Sequence, residues 1–215
     1  MKKRNFTLVE LLVVIGILAL LAGLIIPAVI GAKSKGRITQ ARADMTSLRT
    51  AFEGMYRDYG AMAKSSGTKY ALGGHEFDVS SGCITIAESS ATANYCDVIA
   101  ELSDPTNTNV TVSLNKRKIK YLDPRPEYDP SKSPTYKSSD GKIDNPSNTW
   151  LDPWGNQYRI RINVDGKEQI VDPSDTSKKL SGRIILWSLG PDGEGGTTDT
   201  DKDNIPGWKS GNWFD

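Results

Sequence analysis

The chain has 215 residues, a hydrophobic fraction of 37% and a mean hydropathy of −0.44, which allows one globular domain plus an extension and makes most of the chain compatible with water. Net charge is +1, from 27 basic and 26 acidic residues, so there is no global electrostatic case for nucleic acid and none is expected as a partner. The two cysteines, Cys83 and Cys96, are not in a CxxC spacing.

The N-terminus opens with Lys2, Lys3 and Arg4, and residues 11–30, LLVVIGILALLAGLIIPAVI, then carry no charge. Twenty residues make a helix of about 30 Å, the thickness of a bilayer core. Three readings compete for this segment. An ordinary secretory signal has an apolar run of only about 7–15 residues and a small-residue cleavage site; here the run is longer and no A-x-A site follows. A plain anchor accounts for the apolar run, with the basic start held in the cytoplasm. It leaves Glu10 and the Phe6-Thr7-Leu8 entrance unexplained.

The third reading uses all of these residues. Lys3-Arg4-Asn5-Phe6-Thr7-Leu8-Val9-Glu10-Leu11-Leu12 resembles the class III leader of type IV pilins and pseudopilins. That resemblance implies cleavage by a prepilin peptidase between Asn5 and Phe6 and N-methylation of Phe6, with Glu10 as the fifth mature residue. The family usually has Gly where this chain has Asn5. A carboxylate in a lipid-facing segment costs roughly 3 kcal/mol at mid-bilayer and less near an end. Glu10 is therefore expected to have a partner, the α-amino group of Phe6 on a neighbouring subunit. The positive end of the helix dipole also favours a negative charge in that turn.

Beyond Gly31 the sequence turns polar but keeps a helical period. Ile38, Ala41, Met45, Leu48, Phe52, Met55 and Tyr59 step by three and four along one face, and Gly60 is a plausible stop. The stripe is expected to pack on the protein's own globular domain. The alternative, a dimeric coiled coil, normally needs three or four sustained heptads, and about three are present. Residues 6–59 are thus expected to form one helix of about 80 Å, with Pro27, Gly31 and Gly36 as points of bending.

Residues 61–109 read as a long, partly ordered connection, with a short strand over residues 82–87 and a helical turn near 97–102. Cys83 and Cys96 sit there and are expected to form a disulfide on the oxidising side of a membrane, two free thiols being the alternative. Strands are expected over 110–114 and 118–122, then a polar loop over 123–149. Residues 157–164 alternate, with Tyr158, Ile160, Ile162 and Val164 on one face. Asp165-Gly166 signals a hairpin back along 167–171, and 183–189 reads as a central strand. The fold class is α+β: a long N-terminal helix, half transmembrane and half amphipathic, packed on a small antiparallel sheet. The organisation is a leader (1–5), a transmembrane or filament-core helix (6–30), its amphipathic second half (31–60) and a globular domain (61–215) with an acidic loop at 190–208.

Two motifs extend the resemblance. Leu151-Asp152-Pro153-Trp154-Gly155-Asn156-Gln157-Tyr158 is similar to the DPWGNPY segment of the major pseudopilins of type II secretion, and Ser188-Leu189-Gly190-Pro191-Asp192-Gly193 is similar to the SLGxDG that follows their last strand. Physically the first is a turn in which Trp154 can cover the sheet edge. The acidic loop packs Asp192, Glu194, Asp199, Asp201 and Asp203 among glycines. A hard, oxygen-loving cation is the sensible counterion for such a loop, although no Glu stands at the twelfth position of a true EF-hand. The resemblance implies Ca²⁺ held by Asp192, Asp199, Asp201, Asp203 and the backbone of Leu189. A solvated acidic loop is the alternative.

Taken together, these readings describe a filament subunit without catalysis of its own, a pseudopilin of type II secretion. The expected partners are copies of itself, other pseudopilins, a prepilin peptidase, an inner-membrane assembly platform and membrane lipid. It would be a single-pass inner-membrane protein with its N-terminus cytoplasmic and its globular domain periplasmic. A type IV pilus subunit for adhesion or motility is the main alternative, and a membrane-anchored calcium-dependent adhesin a remote one. An enzyme is not expected: the sole histidine, His75, lies in a Gly-rich stretch, and no hydrolase, zinc-protease or P-loop motif is present.

Overall fold

The computed structural model describes residues 8–86, 92–103, 114–123, 135–136, 143–144, 150–173, 175, 177–193 and 204–207. The chain forms two compact units, Met1–Thr39 and Gln40–Asp215. A single helix, α1 (Leu8–Tyr59), contributes to both.

Within the uncharged run of the first unit, from Leu11 onward, α1 is apolar on all sides. Leu11, Leu12, Val13, Val14 and Ile15 are five consecutive residues, each between 47% and 59% exposed. At about 100° per residue they pass right round the helix, unlike the one-sided stripe of a surface helix. Among the described residues, no helix is long and apolar enough to cross a membrane. The side chains of Leu24, Ile26, Pro27, Ala28 and Ile30, all in the uncharged run, lie outside that description.

In the second unit the stripe turns inward. Ala41, Met45, Leu48, Phe52 and Met55 are buried, as is Ala51 beside them. Each of the four large side chains contributes about 1.5–3 kcal/mol by leaving water. The helix stops at Tyr59, where the Gly60 N–H donates to the Tyr56 carbonyl at 2.7 Å.

Seven of the strands build the unit: β1 (Lys64–Ser66), β2 (Lys69–Leu72), β3 (His75–Asp78), β4 (Cys83–Ile86), β7 (Arg159–Asn163), β10 (Ile184–Ser188) and β11 (Ile205–Pro206). The first three form an antiparallel sheet of their own, and the other four a second antiparallel sheet in the order β11-β10-β7-β4. Its inner face carries Ile84, Ile86, Tyr158, Ile160, Ile162, Ile184 and Leu186, all buried. The Tyr158 hydroxyl donates to the Asp44 carboxylate of α1 at 2.8 Å, setting that face against the helix. The outer face gathers Cys83, Ile185, Trp187, Leu189 and Ile170. Two further pairs, β5 (Thr135–Tyr136) with β6 (Ile143–Asp144) and β8 (Gln169–Val171) with β9 (Lys179–Ser181), are the remaining strands among the described residues. The second helix, α2 (Thr92–Ser103), buries Tyr95, Val98, Ile99 and Leu102 on one face.

Several expectations require correction. The connection over 61–78 is a three-stranded sheet, and the turn near 97–102 is a 12-residue helix. Residues 118–122 are not a strand. Asn115 is buried there, accepts from the Ile119 N–H at 2.9 Å and donates to the Ile119 carbonyl at 2.7 Å, so the backbone loops around its amide. The buried Glu101 carboxylate receives the N–H groups of Gly73, Leu114 and Asn115, fixing the approach to that loop. The hairpin expected after Asp165-Gly166 does not form a ladder: β8 pairs with β9, while both edges of β7 are taken by β4 and β10. The strand expected over 110–114 lies almost entirely outside the described residues.

Candidate functional site

Glu10 occupies the first turn of α1. Leu8, Val9, Leu11 and Leu12 around it are 57–80% exposed, so a carboxylate stands within a fully apolar, outward-facing surface. Asn5 and Phe6 lie outside the described residues.

The two motifs of the C-terminal half are bonded into each other, through Asp152 and Ser188, which lie 36 residues apart in sequence. Asp152 closes the turn between the bridged residues Leu151 and Gln157. Its Oδ1 accepts from the Trp154 N–H at 3.0 Å and the Asn156 N–H at 2.8 Å. Its Oδ2 accepts from the Ser188 hydroxyl at 2.6 Å, and the Ser188 oxygen accepts the Gly190 N–H at 3.0 Å. The Asn156 amide reaches across to the Gly190 carbonyl at 2.9 Å. Gly155 takes the positive φ, +95°, that the turn needs. A Cβ on Gly193 would come within 2.7 Å of Asn156 Oδ1, so the loop after β10 must pass there as glycine. Asp152 is only 4% exposed, and burial pushes its carboxyl above the usual range, opposed by the bonds from Ser188, Asn156 and Trp154. Trp154 is half-buried.

The acidic loop starts from this base. Leu189 is buried and Asp192 exposed. Asp199, Asp201 and Asp203 lie outside the described residues. Among the described residues no three acidic, His or Cys side chains gather as a metal site.

The expected Cys83–Cys96 disulfide is not formed; both are free, buried thiols. Cys83 starts β4 on the outer face of the sheet, packed with Ile185 and Trp187, whereas Cys96 lies on α2. Burial raises both thiols, Cys96 to about 12. Neither is a reactive thiolate near neutral pH. Native protein is expected to resist alkylation, and unfolded protein to take two adducts without reductant. A single mass with no adducts after unfolding would restore the disulfide.

Sequence reasoning missed the link between Asp152 and Ser188. Each motif read singly was a turn, and only the pairing of β7 with β10 brings them together.

Residues 1–26 match the family model described as "Prokaryotic N-terminal methylation motif". Over 208 residues, 96% of this chain and 92% of the relative, the chain is 26% identical to the "Type II secretion system core protein G" of Escherichia coli (strain K12). No solved structure matches. A methylation motif at the N-terminus and similarity along nearly the whole length together support a pseudopilin-like protein.

Proposed function

We propose that this chain is a structural subunit of a type II secretion pseudopilus, assembling with copies of itself and with other pseudopilins to support protein export. The observation that carries this reading is the N-terminal stretch of α1: an uncharged run from Leu11 that is apolar around its whole circumference, with one carboxylate, Glu10, in the first turn. Such a helix is covered either by lipid or by like helices. The subunit would wait in the inner membrane as a single-pass protein and enter the filament after a prepilin peptidase cuts between Asn5 and Phe6 and Phe6 is N-methylated. An assembly platform in the same membrane would receive it. Mass spectrometry of the mature protein is the direct test: the expected mass begins at methylated Phe6, and an intact Met1 or a cut near residue 32 overturns the reading.

A type IV pilus subunit is the second reading, and the long stretch over 61–149 is the feature that favours it. Deletion of the gene separates the two. Loss of secreted proteins with motility intact supports the first, and lost motility or adhesion with secretion intact supports the second.

The acidic loop is proposed to take Ca²⁺ through Asp192, Asp199, Asp201, Asp203 and the Leu189 carbonyl, as a structural ion. Support comes from the charge density of the loop and from its base, where Asn156 and Ser188 fix the Gly190 backbone. A ligand at 100 times its Kd that binds only the native state adds about 2.7 kcal/mol, or roughly 5–10 °C in Tm for a domain of this size. Identical melting in calcium and in chelator would remove the ion.

A further inference from the structure

We propose that Lys33, Lys35 and Arg37 form a belt on α1 that binds the headgroups of anionic phospholipids and holds the mature subunit at a fixed depth in the membrane. The inference rests on the membrane-waiting subunit proposed above and names the class of lipid that it takes.

The three cations follow closely on the uncharged run, which ends at Ile30. Lys33 and Lys35 are exposed and Arg37 is partly exposed. A charge on a helix surface is neutralised within the helix by an opposite charge three or four residues away. None is available here, because no acidic residue stands between Glu10 and Asp44. The belt is therefore a local surplus of three positive charges on a chain whose net charge is only +1.

Its arrangement separates a lipid from a protein partner. At about 100° per residue, Lys33 and Arg37 share one side of α1 and Lys35 lies on the opposite side. A partner helix meets one side only. A layer of headgroups surrounds the helix, as lipid tails surround the apolar residues before it. The depth also fits. At 1.5 Å per residue the three residues stand about 4–10 Å past Ile30, against a headgroup layer of about 5–8 Å on each face of a bilayer. Helical side chains lean toward the N-terminus, here toward the bilayer, and the long stems of Lys and Arg place their charge at the interface. Cleavage between Asn5 and Phe6 would remove Lys2, Lys3 and Arg4, so the mature subunit keeps basic side chains only at this end of the run.

The test uses the full-length chain carrying Ser34→Cys with an uncharged donor dye on it, Cys83 and Cys96 being buried. It is reconstituted in vesicles of phosphatidylcholine and phosphatidylglycerol that hold a trace of one lipid or the other with an acceptor dye on its acyl chain. Each cation beside an anionic surface is worth about a factor of five, so energy transfer is expected to show phosphatidylglycerol enriched at least about fivefold over phosphatidylcholine beside the belt. Lys33→Gln, Lys35→Gln and Arg37→Gln together are expected to abolish the preference. Salt at about 1 M, where the Debye length is about 3 Å, should weaken it in the parent. Lys64→Gln, Lys116→Gln and Lys179→Gln, at exposed lysines of the second unit, change the net charge equally and are expected to leave it intact. A chain that an alkaline wash strips from the vesicles overturns the membrane reading and the belt with it. A chain that stays in the vesicles and draws equal transfer from both lipids overturns the belt alone. So does a preference that survives the belt substitutions or disappears with those of the second unit.

Discussion

Glu10→Ala is expected to leave the subunit in the membrane and to abolish filament assembly. The surrounding residues Leu8, Val9, Leu11 and Leu12 are 57–80% exposed, so in a filament core Glu10 loses its water along with them. A carboxylate so placed is tolerated when a cation meets it, and the proposed partner is the methylated amino group of Phe6 on the next subunit. Removing one member of a buried ion pair costs about 3–5 kcal/mol, a factor of roughly 10² to 10⁴ in the affinity of each added subunit. Because every contact along the filament is the same, the loss repeats at each step and growth stops. Membrane insertion moves the other way, since alanine is cheaper than glutamate in lipid. The measurement compares the variant in the membrane fraction with the variant in sheared filaments. A normal filament yield from Glu10→Ala would show that the carboxylate plays no part in assembly.

Periodicity made the inner half of this molecule legible. The α1 stripe from Ala41 to Met55 and the alternation of Tyr158, Ile160 and Ile162 are both buried as read, because burial of one face imposes a period that the sequence must keep. What escaped reading was decided by turns and by polar side chains acting at a distance. The β2–β3 hairpin turns on Gly73-Gly74, with φ of +60° and +81° and Leu72 opposite His75. A Gly-Gly pair between short runs is a hairpin signal, but four-residue strands gave too little alternation to stand out beside it. The irregular loop at 118–122 could not be read locally, because Lys-Ile-Lys-Tyr alternates like a strand and the overriding groups, Asn115 and Glu101, lie outside it. The pairing of β8 with β9 instead of β7 follows from competition: β4, distant in sequence, already holds that edge of β7. For the candidate site, the leader motif and the two turn motifs were visible one by one, while the Asp152–Ser188 bond exists only once the sheet has formed.

That bond carries the second large effect. Asp152→Ala is expected to destabilise the second unit by roughly 3–5 kcal/mol, because three donors lose one acceptor group and each buried orphan costs about 1–3 kcal/mol. Ser188, the Trp154 N–H and the Asn156 N–H all end on that carboxylate, and Ser188 is wholly buried, so water cannot replace what is lost there. At about 2–4 °C per kcal/mol, Tm should fall by roughly 10 °C. Asp152→Asn keeps one oxygen for the two backbone donors and turns an amide toward Ser188, whose hydroxyl can accept it; its cost should be a small fraction of the alanine value. The pH dependence separates the two causes. Burial holds the Asp152 carboxyl above its ordinary value, so between about pH 3.9, the unfolded value, and that raised value the folded state binds more protons than the unfolded one. Asp152 therefore favours folding most below the unfolded value, and this contribution is lost as pH rises through the raised folded value. Asp152→Asn removes that slope while keeping most of the stability at neutral pH. If Asp152→Ala melted within a degree or two of the parent, the carboxylate would not be what ties the two motifs. If instead it melts early and the calcium-induced rise in Tm shrinks with it, the acidic loop is held in place from Asp152 through Ser188 to Gly190, and the turn at Trp154 and the loop at Asp192 form one structural element.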